Sequence, residues 1–258
     1  MTITTEGLPR VTTCRLAERA RSAPTADIKF RGQLFSFRVI PLTLELFREL
    51  GFNPSHFRAG ANILLLDREN FRRFAAACGT TAEGGIYPLA SNGDNEAAIC
   101  GEIPYLPDRS RNIILPEDHS PISLAHEIAH DIFIGGGITE QERLDFAKNL
   151  LHWYRLSLDP NMPHQHKNHP FYQQVSQVCM QQYHLTELSP KYYGPRHWQE
   201  RDFRVFASEC FAYACETILF RDEAMLKDVP QPVLSHLRYL RCIDLQAIRQ
   251  FQQATGSV

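Results

Sequence analysis

Between Ile28 and Ile40 apolar and polar residues alternate through IKFRGQLFSFRVI on both sides of Arg31-Gly32. A period of two interrupted by a glycine-containing dipeptide marks two half-buried strands joined by a tight turn. LTLELFREL (42–50) and RENFRRFAAAC (68–78) instead bring apolar residues back every three or four positions, the spacing of helices. NILLLD, between them, is short and continuous, as a strand buried on both faces would be. EAAICGEIPYLP (96–107) and RNIILP (111–116) read as further strands, each closed by a proline. Beyond residue 120 the period becomes helical, over roughly 139–156, 170–186, 199–220 and 231–253, with connections such as DPNMPHQHKNHP between. Residues 1–26 are rich in Thr, Arg, Ser and Pro without sustained periodicity and predict a flexible N-terminal arm. The expected fold is therefore α+β: one domain over 27–258, with a mixed α/β lobe at 27–134 and a helical lobe at 135–258.

Composition narrows the function without choosing it. Apolar residues make up 43%, charged residues 22%, and the net charge is −2. This is an ordinary globular balance, with no basic excess to steer the chain onto nucleic acid or an anionic membrane. No apolar run reaches signal-peptide or membrane-span length, so the expected location is the cytoplasm. Seven cysteines at irregular spacings, none forming CxxC, suit reduced thiols better than a disulfide framework or a cysteine zinc ribbon.

The chemistry concentrates in SPISLAHEIAHDIFIGGG (120–137), where His126, Glu127 and His130 form HExxH. Histidines at i and i+4 stand one helical turn apart, so both imidazoles can reach one tetrahedral cation, and Glu127 is positioned to take a proton from a water beside it. A chain of this composition would contain about 0.03 such matches by chance. Ser120-Pro121 is a good N-cap and first-turn pair, so the motif falls within a helix that starts just upstream. Ile122, Leu124, Ala125, Ile128, Ala129, Ile132 and Phe133 supply packing positions around it. Asp131 points away from His130 and is expected to orient a ligand or cap a neighbour.

Two glutamates compete for the third ligand position. Glu142 lies only 11 residues beyond His130, and with Thr139 it also forms a T-x-x-E capping box. Glu209 sits at the centre of the largely apolar FASECFAYACETILF, where a buried carboxylate needs a partner such as a metal. Glu216, seven residues on, lies on a similar face and reads as a surface carboxylate or as a hydrogen-bond partner of a ligand histidine. His164, His166 and His169 cluster in a loop, and Asp118-His119 precede the active helix. Each group is a weaker candidate for a second metal.

The HExxH helix together with Ser208-Glu209-Cys210-Phe211-Ala212 resembles the glutamate-zincins related to anthrax lethal factor and the Mlc titration factor peptidases. That resemblance covers two helices and implies a zincin-like fold, a Zn2+ held by His126, His130 and Glu209, and Glu127 as base. Such proteins carry a Tyr seven residues before the ligand Glu, whereas this chain has Asp202. The oxyanion donor then falls to Tyr213, Tyr192, Tyr193 or His197, with Tyr213 chosen because it lies one turn beyond Glu209. ERLDFAKNLL is similar instead to ImmA/IrrE-type peptidases, which would put the ligand at Glu142.

The expected activity is that of a zinc metallopeptidase acting on a protein or peptide substrate. Its substrate backbone would lie along an edge strand at Asn112 to Leu115, beside the active helix. The glycines of IFIGGGIT would serve either as a mobile flap or as the end of that helix. Two further readings stay open: a zincin scaffold that sequesters a regulatory partner, and an effector protease delivered into another cell. The intact Glu127 speaks against the first of these, since a pure binder has no use for a base.

Overall fold

The computed structural model describes residues 16–86, 111–157, 159, 161, 169–183, 201–220 and 229–244. Its sheet has four strands in the order β1 (Thr25–Phe30), β2 (Gln33–Pro41), β3 (Ala61–Leu66) and β4 (Arg111–Pro116). β2 pairs antiparallel with both β1 and β3, and β3 pairs parallel with β4, Ile63 opposite Ile113. Arg31 and Gly32 form the β1–β2 turn with φ of 46° and 79°, the paired positive angles that two-residue hairpin loops favour. Every residue of β3 is buried, because both faces of the sheet are covered.

Eight α-helices are described: α1 (Leu16–Arg21), α2 (Leu44–Glu49), α3 (Arg68–Cys78), α4 (Pro121–Ile134), α5 (Glu140–Ser157), α6 (Pro170–Tyr183), α7 (Arg201–Phe220) and α8 (Gln231–Leu240). α3 packs on one face of the sheet, its Phe71 and Phe74 meeting Phe30, Phe35 and Phe37. The opposite face, through Ile63, Leu65, Ile113 and Leu115, joins a larger core built with the α4–α8 helices. α7 is buried almost all round and contacts α4, α5, α6 and α8, so a helix with few polar positions occupies the centre of the helical half. Among the described residues, no helix is long and apolar enough to cross a membrane.

Several expectations need correction. Residues 16–26, expected to belong to a flexible arm, are instead built into the fold, because α1 and the first two residues of β1 fall among them; residues 1–15 lie outside the described residues. Leu16 is in the main core, Arg19 bonds Thr43 Oγ1 at 2.8 Å, and Val39 N–H donates to Pro24 O at 2.9 Å. α8 ends at Leu240 and not near 253. Arg241 turns out of the helix with φ 52°, and Ile243 forms an antiparallel bridge with Phe52, tying this segment to the sheet side. The edge of β4 is not open along its length: Ile114 exchanges both backbone hydrogen bonds with Ile86, at 2.8 and 2.9 Å. A substrate path along Asn112 to Leu115 is therefore already taken at Ile114 by the chain itself. The strand expected at 96–107 lies outside the described residues.

The glycines after α4 end the helix and do not form a flap. Gly135 caps it, Gly136 adopts φ 91°, and a Cβ at Gly137 would collide with Ile132 and with the carbonyl of His56. Asp131 is buried and pairs with Arg111 Nε at 3.3 Å, while the same guanidinium donates to Gly135 O at 2.7 Å. It clasps the end of α4 to the start of β4, as a residue capping a neighbour would.

Candidate metal centre

Helix α4 starts where Ser120 accepts a hydrogen bond from Ser123 N–H at 3.1 Å and Pro121 occupies the first turn. Its apolar residues then fix its rotation against the sheet and α7. His126, Glu127 and His130 are thereby turned into the seam between α4 and α7, where the side chains of Ser208, Glu209 and Glu216 meet them. Contacts climb α4 from 126 to 130 as they descend α7 from 216 to 208, so the two helices run antiparallel here.

Within this seam His126 Nε2 and His130 Nε2 are 3.1 Å apart. Glu209 Oε2 lies 3.3 Å from His126 Nε2, and its Oε1 lies 3.3 Å from His130 Nε2. Tetrahedral coordination with bonds of about 2.0–2.1 Å spaces its ligand atoms about 3.3 Å apart. The three groups are thus separated as a shared ion would separate them, and together they can hold a metal ion. Glu209 is 1% exposed and Glu127 is 5% exposed. Glu127 Oε2 is buried without a hydrogen-bond partner among the described residues, an unmet acceptor that a water or substrate N–H at the centre would meet.

The electrostatics follow from this crowding. For His126, burial favours the neutral ring, but Glu209 and Glu216 outweigh it and hold the pKa well above the ordinary histidine value. For Glu209, burial opposes ionisation, and the two histidines overcome it to hold the carboxyl far below its usual range. Glu127 is raised, chiefly by burial, with His130 and His126 partly opposing. Tyr213 is raised by burial and by the neighbouring carboxylates, so it stays a hydroxyl donor, and its ring stands edge-on to His126 with centroids 4.6 Å apart.

The two rival glutamates are separated by this geometry. Glu142 completes its capping box: Thr139 N–H donates to its Oε2 at 2.7 Å and Glu142 N–H donates to Thr139 Oγ1 at 3.2 Å. It begins α5 and does not join the His-His-Glu group. Asp118 is held by Arg68 at 2.7 Å, and His119 Nδ1 lies 2.9 Å from Pro116 O, so both have structural partners. His169 Nδ1 accepts from Phe171 N–H at the start of α6. His164, His166, Tyr192, Tyr193 and His197 lie outside the described residues.

One feature of the site decides between two readings left open by the sequence, and another goes beyond them. Glu216 is not a surface carboxylate: it is 3% exposed, with Oε2 2.8 Å from His126 Nδ1. The argument that made Glu209 a candidate, an acid inside an apolar helix, applied to it equally. Gly85 was not singled out at all. It passes so close to the centre that a Cβ there would lie 2.6 Å from Glu127 Cγ and Oε1 and 2.8 Å from Leu115 Cδ2. Gly84-Gly85 just before an apolar residue was the available signal, since paired glycines often mark close backbone approach.

No family model, curated protein or solved structure matches the chain. The fold and site by themselves define an α+β protein with a buried His-His-Glu group between two antiparallel helices.

Proposed function

We propose that this chain is a zinc-dependent metallopeptidase of zincin-like fold, with His126, His130 and Glu209 as ligands, acting on a protein or peptide substrate. The observation that carries the reading is the set of inter-ligand distances, 3.1, 3.3 and 3.3 Å, beside a buried Glu127 with an unmet oxygen. Two imidazoles and a carboxylate suit zinc, and a site with three protein ligands retains a position for water or substrate. When bound, zinc would supply Lewis acidity toward a substrate carbonyl and acidify an adjacent water. Glu127 accepts the proton of the attacking water and delivers it to the departing amine, a task that its burial-raised basicity favours. Tyr213, which keeps its proton, donates to the oxygen on which negative charge develops.

With Ile86 bonded to the outer side of β4, an extended substrate cannot add to that edge at Ile114, and Gly84-Gly85, packed without side chains against Ser123 and Glu127, form a wall of the site beside the base. Cys78, Cys210, Cys215 and Cys242 are free thiols, which supports action in a reducing, cytoplasmic setting.

The test combines metal content with cleavage of a peptide library. The purified parent should carry about one zinc per chain, lost in Glu209→Ala and retained in Glu142→Ala. Glu127→Gln should retain zinc while cleavage falls about 10²–10⁴-fold. A folded parent that binds no zinc would overturn the metal assignment. Undiminished cleavage by Glu127→Gln would overturn the mechanism.

A further inference from the structure

We propose that α7 holds the two histidines in their metal-binding tautomer, through Glu216 at His126 and Ser208 at His130. One helix would then furnish a ligand and both positioning residues. The inference rests on the metal reading above and extends it to residues that touch no metal.

A neutral imidazole has one N–H, and its Nε2 is open to a cation only when the proton sits on Nδ1. At His126 the Nδ1 neighbour is Glu216 Oε2, 2.8 Å away and 3% exposed as a residue. A carboxylate oxygen at this distance accepts from the ring, which places the proton on Nδ1 and turns Nε2 toward Glu209. At His130 the Nδ1 neighbour is the fully buried Ser208 Oγ at 2.7 Å. A hydroxyl either donates or accepts, so Ser208 permits the metal-binding tautomer without imposing it. The two ligands are thus held unequally: His126 by a charge that forces its tautomer, His130 by a group that follows whatever Nε2 does.

The spacing along α7 accounts for the division of labour. Glu209 and Glu216 differ by seven residues, which rotates them by only about 20° and separates them by about 10 Å along the axis. His126 sits between them and bonds both, one through each ring nitrogen. Ser208 precedes Glu209 by about 100° of rotation, enough to reach the far side of His130 while Glu209 faces its Nε2. A helix built only to pack against α4 needs none of these three polar groups in a core that is otherwise largely apolar. Positioning partners of ligand histidines commonly govern metal affinity by about 10–100-fold.

The experiment measures zinc affinity by chelator competition in the full-length parent, Glu216→Gln, Ser208→Ala and, as a distant control, Glu142→Gln. Glu216→Gln keeps the shape and an acceptor but removes the charge, and should weaken zinc about 10–100-fold. Ser208→Ala should weaken it by less than about tenfold, and Glu142→Gln should leave it unchanged. Nitrogen NMR of the zinc-loaded parent supplies a readout independent of any variant's folding: both rings should bind through Nε2 and carry a proton on Nδ1. Affinity within about twofold of the parent in folded Glu216→Gln, or His126 bound through Nδ1, would overturn the proposal while leaving the metal site standing. A parent that binds no zinc would overturn both.

Discussion

The two faces of the sheet are built on opposite principles. Toward α3, Phe74 meets Phe30, Phe35 and Phe37 with ring centroids 5.1 to 5.4 Å apart, and the cluster they form is apolar. Toward α4 and α7, an equally buried region contains Glu127, His130, Asp131, Ser208, Glu209 and Glu216. Withdrawing each carboxylate from water costs several kcal/mol before any pairing returns it, and an apolar seam of the same volume would generally be as stable or more so. The first face stabilises the fold. The second gives up stability to hold charge at fixed distances, and the difference singles out the His-His-Glu group without reference to any motif.

That contrast can be broken most forcefully at Phe74. Truncation to Ala should cost about 3–5 kcal/mol in denaturant unfolding, since a large ring leaves a well-packed cluster, while zinc bound per folded chain stays unchanged. A loss of metal binding equal to the loss of stability would mean the faces are not independent. At the other face the stability deficit should be repaid by the ion. Zinc at a hundredfold excess over its dissociation constant should raise unfolding free energy by about 2.7 kcal/mol, visible as a shift in the urea midpoint and abolished in Glu209→Ala. No shift in the parent would remove the reason for tolerating the charged seam.

The smallest effect tests a surface charge that serves structure alone. Asp67 caps α3, its Oδ1 accepting from Asn70 N–H at 2.9 Å, and this hydrogen bond holds its carboxyl below the usual value. A folded-state pKa below the unfolded one contributes stability above the unfolded value of about 3.9 and loses it as pH falls through the folded one. Asp67→Ala should therefore cost about 1 kcal/mol at neutral pH. Thermal melts of the two proteins should converge in strong acid. A difference that persists there would assign the effect to something other than the ionised cap.

Much of the architecture was legible because it depends on neighbours in sequence. The hairpin at Arg31-Gly32, β3, β4 and the starts of α3, α4, α5 and α8 follow from period, turn chemistry and caps, which act over a few residues. The end of α8 was not, because the pattern stays helical beyond Leu240. Arg241 leaves the helix so that Ile243 can pair with Phe52, a residue nearly two hundred positions away. The edge beside α4 was misread for the same reason: β4 looks terminal until Ile86 is seen bonded to Ile114.

The site divides along the same line. HExxH specifies by itself that two imidazoles share a helix face with a carboxylate between them, because i and i+4 fix that geometry locally. Which glutamate joins them could not be read locally, since Glu142 and Glu209 are both plausible acids on helices. Tertiary structure decided it by running α7 antiparallel to α4, which brings Glu209 within 3.3 Å of both Nε2 atoms and leaves Glu142 on its own helix cap. The same docking made Glu216 and Ser208 partners of the histidines and brought Gly85 against Glu127. Distances between groups some eighty to ninety residues apart are set by how packed helices rotate and align, and no local pattern of side chains encodes that.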